Sequence, residues 1–265
     1  MKFERSSLKD FVFPPSCQVC DTQIFSSSPA LCSNCQPENI CVETSSTCCS
    51  ACNEPQLEQA ICQICNLYPL PFGTVLSMWE YNFQVEQLIS AIKYKGKFSL
   101  ISWVAKLSAQ FLESREKFTS SWDIILPVPS KTANSQDRGY NPVALFVRKL
   151  GKHLSIPTAT TALIISDSSP NRARLSIAER SQSPSPVISL NKRFKRLEEL
   201  LKNKKVLLVD DVLTTGATAS AAASVLPVCS RVDLFTIARS SRFTANRLSI
   251  EHRKQFRNDV FQEIA

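Results

Sequence analysis

The hydrophobic pattern of the chain alternates between helical and strand-like spacing beyond residue 80. Apolar residues recur at a helical period over 83–94, again over 100–118, and once more over 142–154. The short apolar run 123–129 closes with two prolines, which predicts a buried strand that enters a loop. This order of elements is typical of a domain in which helices and strands alternate.

The stretch 204–238 has the clearest pattern of the chain. An apolar run over 206–209 predicts a strand that ends at two acidic residues, and 232–238 predicts a second strand. Between them, 217–226 is rich in alanine and predicts a helix. Two strands joined through a helix form a βαβ unit, so we expect an α/β fold with a parallel sheet flanked by helices.

The cysteines set the N-terminal region apart from this domain. Ten of the 11 cysteines lie between Cys17 and Cys65. Eight of them form C-x-x-C pairs, namely Cys17/Cys20, Cys32/Cys35, Cys49/Cys52 and Cys62/Cys65. Such a pair places two thiolates on one side of a metal, and two pairs complete a tetrahedral Zn²⁺ site. We therefore predict two sequential structural zinc sites, each made of two pairs.

Two other uses of paired cysteines are less consistent with the sequence. A disulfide framework needs an oxidising compartment, and residues 1–17 lack the apolar stretch of a signal peptide. A redox C-x-x-C is expected once, within a thioredoxin-like pattern. The same N-terminus, and the lack of an apolar run of membrane-spanning length, lead us to expect a cytoplasmic protein.

Charge and glycine spacing narrow the candidate functions. Residues 1–80 hold 3 Lys/Arg and 8 Asp/Glu, net −5, whereas residues 81–265 hold 28 and 15, net +13. A basic domain suits an anionic substrate such as a phosphorylated compound or nucleic acid, although a solvated basic surface fits equally well. The five glycines are not spaced for a dinucleotide or P-loop fingerprint.

The run VLLVDDVLTTGAT, residues 206–218, combines an acidic pair with an anion-binding turn. Ligands of open α/β sheets bind at the carboxyl ends of strands, where carboxylates can accept hydrogen bonds from ribose hydroxyls. The turn precedes a helix N-terminus, whose free N–H groups bind phosphate. A ligand-free turn capped by Asp and Thr is the structural alternative. The predicted ribose and phosphate ligands are Asp210, Asp211, Thr214, Thr215, Gly216, Ala217 and Thr218.

This run resembles the phosphoribosyl-pyrophosphate (PRPP) motif of type I phosphoribosyltransferases, and together with a double zinc ribbon it resembles the ComF family. Supporting segments are KYKGK at 93–97, PVP at 127–129, RGYN at 138–141 and Ala238–Arg239. The resemblance covers about residues 14–240. It implies that Asp210 and Asp211 are the catalytic acids that hold the ribose, that 214–218 binds the 5′-phosphate, and that Mg²⁺ accompanies PRPP. The implied domains are a double zinc ribbon (1–70), a phosphoribosyltransferase-like domain (71–240) and a basic tail (241–265).

The sequence departs from the family around the expected pyrophosphate loop and lid. Pro142 replaces the usual Gln, the loop 130–137 has one basic residue, and Arg172 and Ser183 replace the family's Gln and Asn. Transfer of a phosphoribosyl group requires a stabilised pyrophosphate leaving group. The cations that can contribute to it are Lys131, Arg138, Arg172, Arg174 and Arg180. Phosphoribosyltransferase activity, with an unknown acceptor, is therefore left open.

The resemblance implies a protein that binds PRPP or a related ribose phosphate and supports DNA uptake in natural transformation. The alternatives are a ribose-phosphate sensor and a non-enzymatic scaffold that links single-stranded DNA to a competence helicase or another DNA-processing protein. Lys93, Lys95 and Lys97 with Tyr94 can contact such DNA, or can complement the end of a helix. The acidic cysteine region can instead dock on the chain's own basic domain or on a partner.

Overall fold

The elements of the chain alternate between helices and strands, as predicted. The computed structural model describes residues 15–24, 31–37, 49, 51–52, 65, 69–115, 122–129, 141–166, 187–193 and 196–240. The strands are β1 (Val75–Glu80), β2 (Ile124–Pro127), β3 (Leu163–Ser166), β4 (Val187–Leu190), β5 (Lys205–Leu213) and β6 (Arg231–Arg239). The helices are α1 (Phe83–Tyr94), α2 (Phe98–Glu113), α3 (Pro142–Leu154), α4 (Leu197–Leu201) and α5 (Ala217–Ser224).

A four-stranded parallel sheet forms the centre of the domain. Its strand order is β1-β6-β5-β2, and each neighbouring pair is parallel. Leu208 of β5 lies opposite Leu234 of β6, and Leu207 lies opposite Ile125 of β2. β3 and β4 form a separate antiparallel pair. The prediction of an α/β fold with a parallel sheet is confirmed.

Side chains that alternate along the strands build one apolar layer on each face of the sheet. Leu207 and Phe235 are fully buried on one face and share a hydrophobic cluster with residues of α1, α2 and α3. Leu208 and Leu234 are fully buried on the other face, with β3, α4 and α5. Because both faces are covered, the central strands read as continuous apolar runs rather than as alternating ones.

Local capping explains where two of the helices begin. The side chain of Asn82 accepts a hydrogen bond from the Val85 N–H (3.0 Å), so α1 begins at Phe83. The side chain of Asn141 accepts one from the Ala144 N–H (3.1 Å) in the same way. Pro142 then occupies the first helical position, where its fixed φ is already suitable. Pro142 therefore supports the start of α3.

Some predicted boundaries were wrong, and some elements were missed. The acidic pair does not end the strand: β5 continues to Leu213, because Asp210 and Val212 still pair with Thr236 and Ala238 of the long β6. α2 runs over Phe98–Glu113 instead of 100–118, and α5 stops at Ser224. β3, β4 and α4 were not predicted from the sequence. In the part of the chain that the structure covers, no helix has the length and hydropathy to cross a bilayer.

Candidate functional site

Asp210 and Asp211 lie in the carboxyl-terminal half of β5, next to the C-terminal end of α1. The backbone N–H of Asp211 donates a hydrogen bond to Oδ1 of Asp210 (2.8 Å). Lys93, in the last turn of α1, forms an ion pair with Oδ2 of Asp211. The side chain of Asp211 is 16% exposed and that of Lys93 is 24% exposed, so the pair is largely shielded from water. The structure thus brings the predicted acids together and adds a lysine to them.

The two acids occupy different electrostatic environments. The pKa of Asp210 is raised to about 7, mainly by burial and also by the neighbouring Asp211 carboxylate. The hydrogen bond from the Asp211 N–H and the positive charge of Lys93 act in the opposite direction. Asp210 therefore changes its charge near neutral pH, which is unusual for a carboxyl group and frequent in functional sites.

Asp210→Asn is expected to stabilise the ligand-free protein more at pH 8 than at pH 6. An aspartic acid of the unfolded chain ionises near pH 4, whereas folded Asp210 keeps its proton up to about pH 7. The wild-type free energy of unfolding therefore falls as the pH rises through this window, and the variant escapes that loss. Urea unfolding should show the gain growing by about 1 kcal/mol between pH 6 and pH 8.

The control for this measurement is Asp123→Asn. The Asp123 side chain is 43% exposed and lies near Lys204 and Lys205, at the other end of β5. The effect of Asp123→Asn on the free energy of unfolding should be the same at pH 6 and at pH 8. A gain from Asp210→Asn that stays constant with pH would mean that Asp210 is ionised throughout this range.

The turn after β5 is exposed on one side and anchored on the other. Thr214, Thr215 and Thr218 are exposed, whereas Gly216 is buried and begins α5 with a φ of +79°. α5 begins at Ala217, so the first N–H groups of this helix have no partner within it. The predicted phosphate loop therefore has the backbone form of an anion site, with three hydroxyl groups around it.

Arg239 donates a hydrogen bond to this turn, a contact that the sequence analysis missed. The residue ends β6, is 1% exposed, and donates a hydrogen bond from Nη1 to the carbonyl oxygen of Thr214 (3.0 Å). The only sequence signal was its place directly after the predicted last strand. This buried guanidinium fixes the backbone of the turn and adds positive charge to its surroundings.

Gly216→Ala is expected to destabilise the protein more than Gly96→Ala does. Both glycines have positive φ, +79° and +63°, so both substitutions carry a similar left-handed backbone cost of about 1 kcal/mol. A Cβ at position 216 would lie 2.6 Å from Cδ2 of Leu70, whereas one at position 96 would meet no atom within 4 Å. Thermal unfolding of the two variants measures the difference. Equal destabilisation would contradict the close approach of Leu70 to the turn.

An open pocket adjoins the acidic pair. It measures about 360 Å³ including its mouth, and Lys93, Asp210 and Asp211 line one side of it. The remaining walls are apolar side chains from α1, α2, α3 and β6, among them Ile92 and Phe146. Charged groups that lie against apolar walls experience little solvent screening, which agrees with the raised pKa of Asp210.

The cysteines form two groups that match the predicted pairing. The sulfur atoms of Cys17, Cys20, Cys32 and Cys35 all lie within 4.8 Å of one another, as do those of Cys49, Cys52 and Cys65. We call these the first and second cysteine units. Cys62, the predicted fourth ligand of the second unit, lies outside the described residues.

The spacing of the sulfur atoms fits a metal ion better than a disulfide. Cys20 and Cys32 are 3.6 Å apart, and Cys49 and Cys65 are 3.7 Å apart. Sulfur ligands about 2.3 Å from a tetrahedral zinc lie about 3.8 Å from each other, whereas disulfide sulfurs are about 2.05 Å apart. Hydrogen bonds with Thr22 lower the pKa of the Cys20 thiol to about 6, whereas burial and the neighbouring thiols raise the pKa of Cys35. The units could therefore bind metal and are compatible with a zinc ribbon.

The first cysteine unit docks on the start of α2 and on the residues before it. Lys95 donates from Nζ to the carbonyl oxygen of Val19 (3.0 Å), and Lys97 lies 3.6 Å from the Asp21 carboxylate. The hydroxyl of Ser99 donates to the side chain of Gln18. The prediction that the acidic cysteine region docks on its own basic domain is confirmed for this unit, and the lysines proposed for DNA contact have partners inside the chain.

The remaining predicted site residues fall where the structure gives no description. These are the pyrophosphate and lid cations Lys131, Arg138, Arg172, Arg174 and Arg180. The long loop over 167–186 and the basic tail 241–265 lie outside the described residues as well. The structure therefore brings together the acidic pair, the phosphate turn and two additional cations, Lys93 and Arg239.

Comparison with known proteins gives matches over most of the chain. Residues 101–227 match the family described as phosphoribosyl transferase domain. Competence protein ComFC of Bacillus subtilis (strain 168) is 23% identical over 202 residues, which cover 72% of this chain and 78% of the relative. DNA utilization protein YhgH of Escherichia coli (strain K12) is 24% identical over 216 residues, which cover 80% and 91%. The structure of adenine phosphoribosyltransferase from Leishmania donovani aligns with 59% of this chain and 72% of its own, with a TM-score of 0.32 and 13% identity.

Proposed function

Since the chain carries a phosphoribosyl transferase domain and is a homologue of ComFC and YhgH, we propose that it binds PRPP or a related ribose phosphate. The observation that carries the proposal is the arrangement at the end of β5. Two adjacent carboxylates lie there beside an exposed three-threonine turn and the start of a helix. This is the chemistry that a sugar diol and a 5′-phosphate require.

Each part of the site has a role in this proposal. Asp210 and Asp211 accept hydrogen bonds from the ribose hydroxyls, while Thr214, Thr215, Thr218 and the N–H groups of the turn bind the phosphate. Lys93 holds Asp211 in place and offsets the repulsion between the two carboxylates and an anionic ligand. Arg239 keeps the turn in its binding conformation through the Thr214 carbonyl. PRPP is expected to arrive with its own Mg²⁺, which neutralises the pyrophosphate.

The metal of the cysteine units is proposed to be zinc, with one ion in each unit. Four thiolates close the coordination sphere of the first unit, so the ion would stabilise the fold and leave no open position for a substrate. Cys62 would complete the second unit. Thiolate ligands persist in a reducing compartment, which agrees with a cytoplasmic location.

The relatives suggest the process in which the site is used. One is named a competence protein and the other a DNA utilization protein. We extend the proposal to a role in the uptake or use of DNA, with a DNA-processing protein or single-stranded DNA as partner. The contacts of Lys95 and Lys97 with the first cysteine unit favour the ribose-phosphate site over a DNA-binding patch at these lysines.

A thermal-shift comparison of three small ligands tests the proposed function. Ribose 5-phosphate should raise the melting temperature more than ribose or inorganic phosphate, because only it engages the acids and the turn together. Thr218→Val should reduce this shift, since the hydroxyl is exposed at the start of α5. Ser224→Ala, at the far end of the same helix, is the matched control and should leave the shift unchanged. Equal shifts with ribose 5-phosphate and phosphate would reduce the site to an anion-binding turn.

A further inference from the structure

The three residues between α1 and α2 connect the first cysteine unit to the acidic pair. This connection is Lys95, Gly96 and Lys97. Lys93 lies two residues before it and forms the ion pair with Asp211. Lys95 and Lys97 contact Val19 and Asp21 of the cysteine unit. One short segment therefore touches both sites.

Apolar packing reinforces these polar contacts. Val19 and Leu31 of the first unit are each 4% exposed, and Cys17 is completely buried. All three belong to the same hydrophobic cluster as Ile92 and Ile101, which flank the connection in α1 and α2. Closely packed interiors transmit displacements, so the first unit cannot move without disturbing the end of α1.

The local backbone leaves little room to absorb such a displacement. Lys95 is the C-terminal cap of α1, and its N–H donates to the carbonyl oxygen of Ala91 (3.1 Å). The N–H of Phe98 donates to the carbonyl oxygen of Gly96 (2.9 Å). A change at Lys95 therefore passes to the last turn of α1, where Lys93 lies.

The position of Lys93 determines how well the acids accept an anionic ligand. Two adjacent carboxylates with little exposure repel each other and repel a phosphate, and a lysine at one of them reduces both effects. If the end of α1 shifts, the ammonium group leaves Asp211 and this compensation is lost. The affinity for a ribose phosphate then falls even though every residue of the turn is intact.

We propose that the first cysteine unit positions Lys93 at Asp211, so that metal binding at this unit and ribose-phosphate binding at the acids strengthen each other. The proposal rests on the proposed function of the acidic pair. Lys93 is a positioning residue in this scheme, and the metal acts only through the fold of its unit. Coupling between two sites is reciprocal, so each ligand should slow the loss of the other.

Zinc release from the intact protein, with and without PRPP, tests the coupling. Zinc-loaded protein is mixed with a chromogenic chelator, and the release of each of the two ions is followed over time. PRPP should slow the release of one ion by about fivefold or more, the lower end of typical site-to-site coupling, and leave the other unchanged. Cys49→Ser, which removes a ligand of the second unit, identifies the slowed ion as that of the first unit.

Two variants at the interface separate coupling from general stabilisation. Asp21→Asn removes the partner of Lys97 and suits the positive φ of 60° at that position, since asparagine tolerates this conformation well. Lys95→Met removes the contact with Val19. Lys95→Met should weaken PRPP binding measured by calorimetry and diminish its effect on zinc release. Asp21→Asn should do so to a smaller extent, because the Asp21 side chain is 70% exposed. Lys204→Met is the matched control, because it breaks a surface pair with Asp123 (3.8 Å) at the opposite end of β5.

The outcomes distinguish this proposal from the proposed function. If wild-type protein does not bind PRPP, the proposed ribose-phosphate site is contradicted, and the coupling proposal is contradicted as well. If PRPP binds but slows the release of neither ion, or of both equally, the coupling is overturned and the site remains. Unchanged PRPP affinity in both interface variants, or protein purified without bound metal, also overturns the coupling.

Discussion

Cys17→Ser is expected to lower the melting temperature of the protein by about 10 °C, whereas Cys49→Ser should change it by only about 3 °C or less. Cys17 belongs to the unit that packs into the main core, where Val19 and Leu31 are almost completely buried. Loss of the metal would release this unit and expose both side chains, at a cost of roughly 1.5–3 kcal/mol each. The free energy of unfolding would then fall by several kcal/mol. In a chain of 265 residues such a loss lowers the melting temperature by about 10 °C.

The comparison between the two cysteines is informative because their chemistry is the same. Each substitution removes one thiolate from a unit of clustered sulfurs, and metal analysis should show one zinc lost in each case. Cys49 is not a member of either hydrophobic cluster of the described residues. Equal losses of melting temperature would contradict the view that, among the described residues, the first unit packs into the core of the domain and the second does not.

Asp233→Ala is expected to reduce the free energy of unfolding by about 2–3 kcal/mol. The Asp233 carboxylate is 1% exposed and accepts hydrogen bonds from Trp122 Nε1 and Arg231 Nε, both at 2.8 Å. Arg231 in turn donates from Nη2 to the hydroxyl of Thr74 (2.7 Å). Removal of the carboxylate leaves the Trp122 indole N–H and the Nε of Arg231 without their acceptor, and the cost falls mainly on the indole because the Arg231 side chain is 37% exposed.

Asp123→Ala serves as the control for Asp233→Ala in urea unfolding. Its ion pair with Lys204 spans 3.8 Å, and both side chains are more than 40% exposed. Exposed pairs of this kind contribute about 0–1 kcal/mol. A loss below about 1 kcal/mol for Asp233→Ala would show that this buried network does not stabilise the sheet.

The sequence predicted the elements whose pattern is set by their own residues. α1 and α3 have the predicted bounds, because their helical periodicity is clear and an asparagine caps each of them. β5 was predicted from the continuous apolar run 206–209, which is completely buried, and β6 from the segment 232–238. The grouping of the cysteines followed from the spacing of the pairs.

The parts that were missed depend on contacts between distant residues. The continuation of β5 through Asp210 and Asp211 depends on pairing with β6, and β3 and β4 are short strands that pair only with each other. In the same way, Lys93 reaches Asp211 across 118 positions of the sequence, and Arg239 reaches Thr214 from the next strand. Periodicity describes the neighbours of a residue along the chain and contains no information about such partners.

Calorimetric titration of the zinc-loaded protein with PRPP and Mg²⁺, beside the Asp210→Asn/Asp211→Asn double variant, tests the proposed site most directly. The account predicts saturable binding of about one PRPP per chain by the wild type and none by the double variant, since the asparagines keep the shape of the site and remove its charge. A single cooperative thermal transition in each protein would confirm that both are folded. Binding of PRPP with the same affinity by both proteins would contradict the assignment of the ribose to these two acids, and binding by neither would contradict the ribose-phosphate site itself.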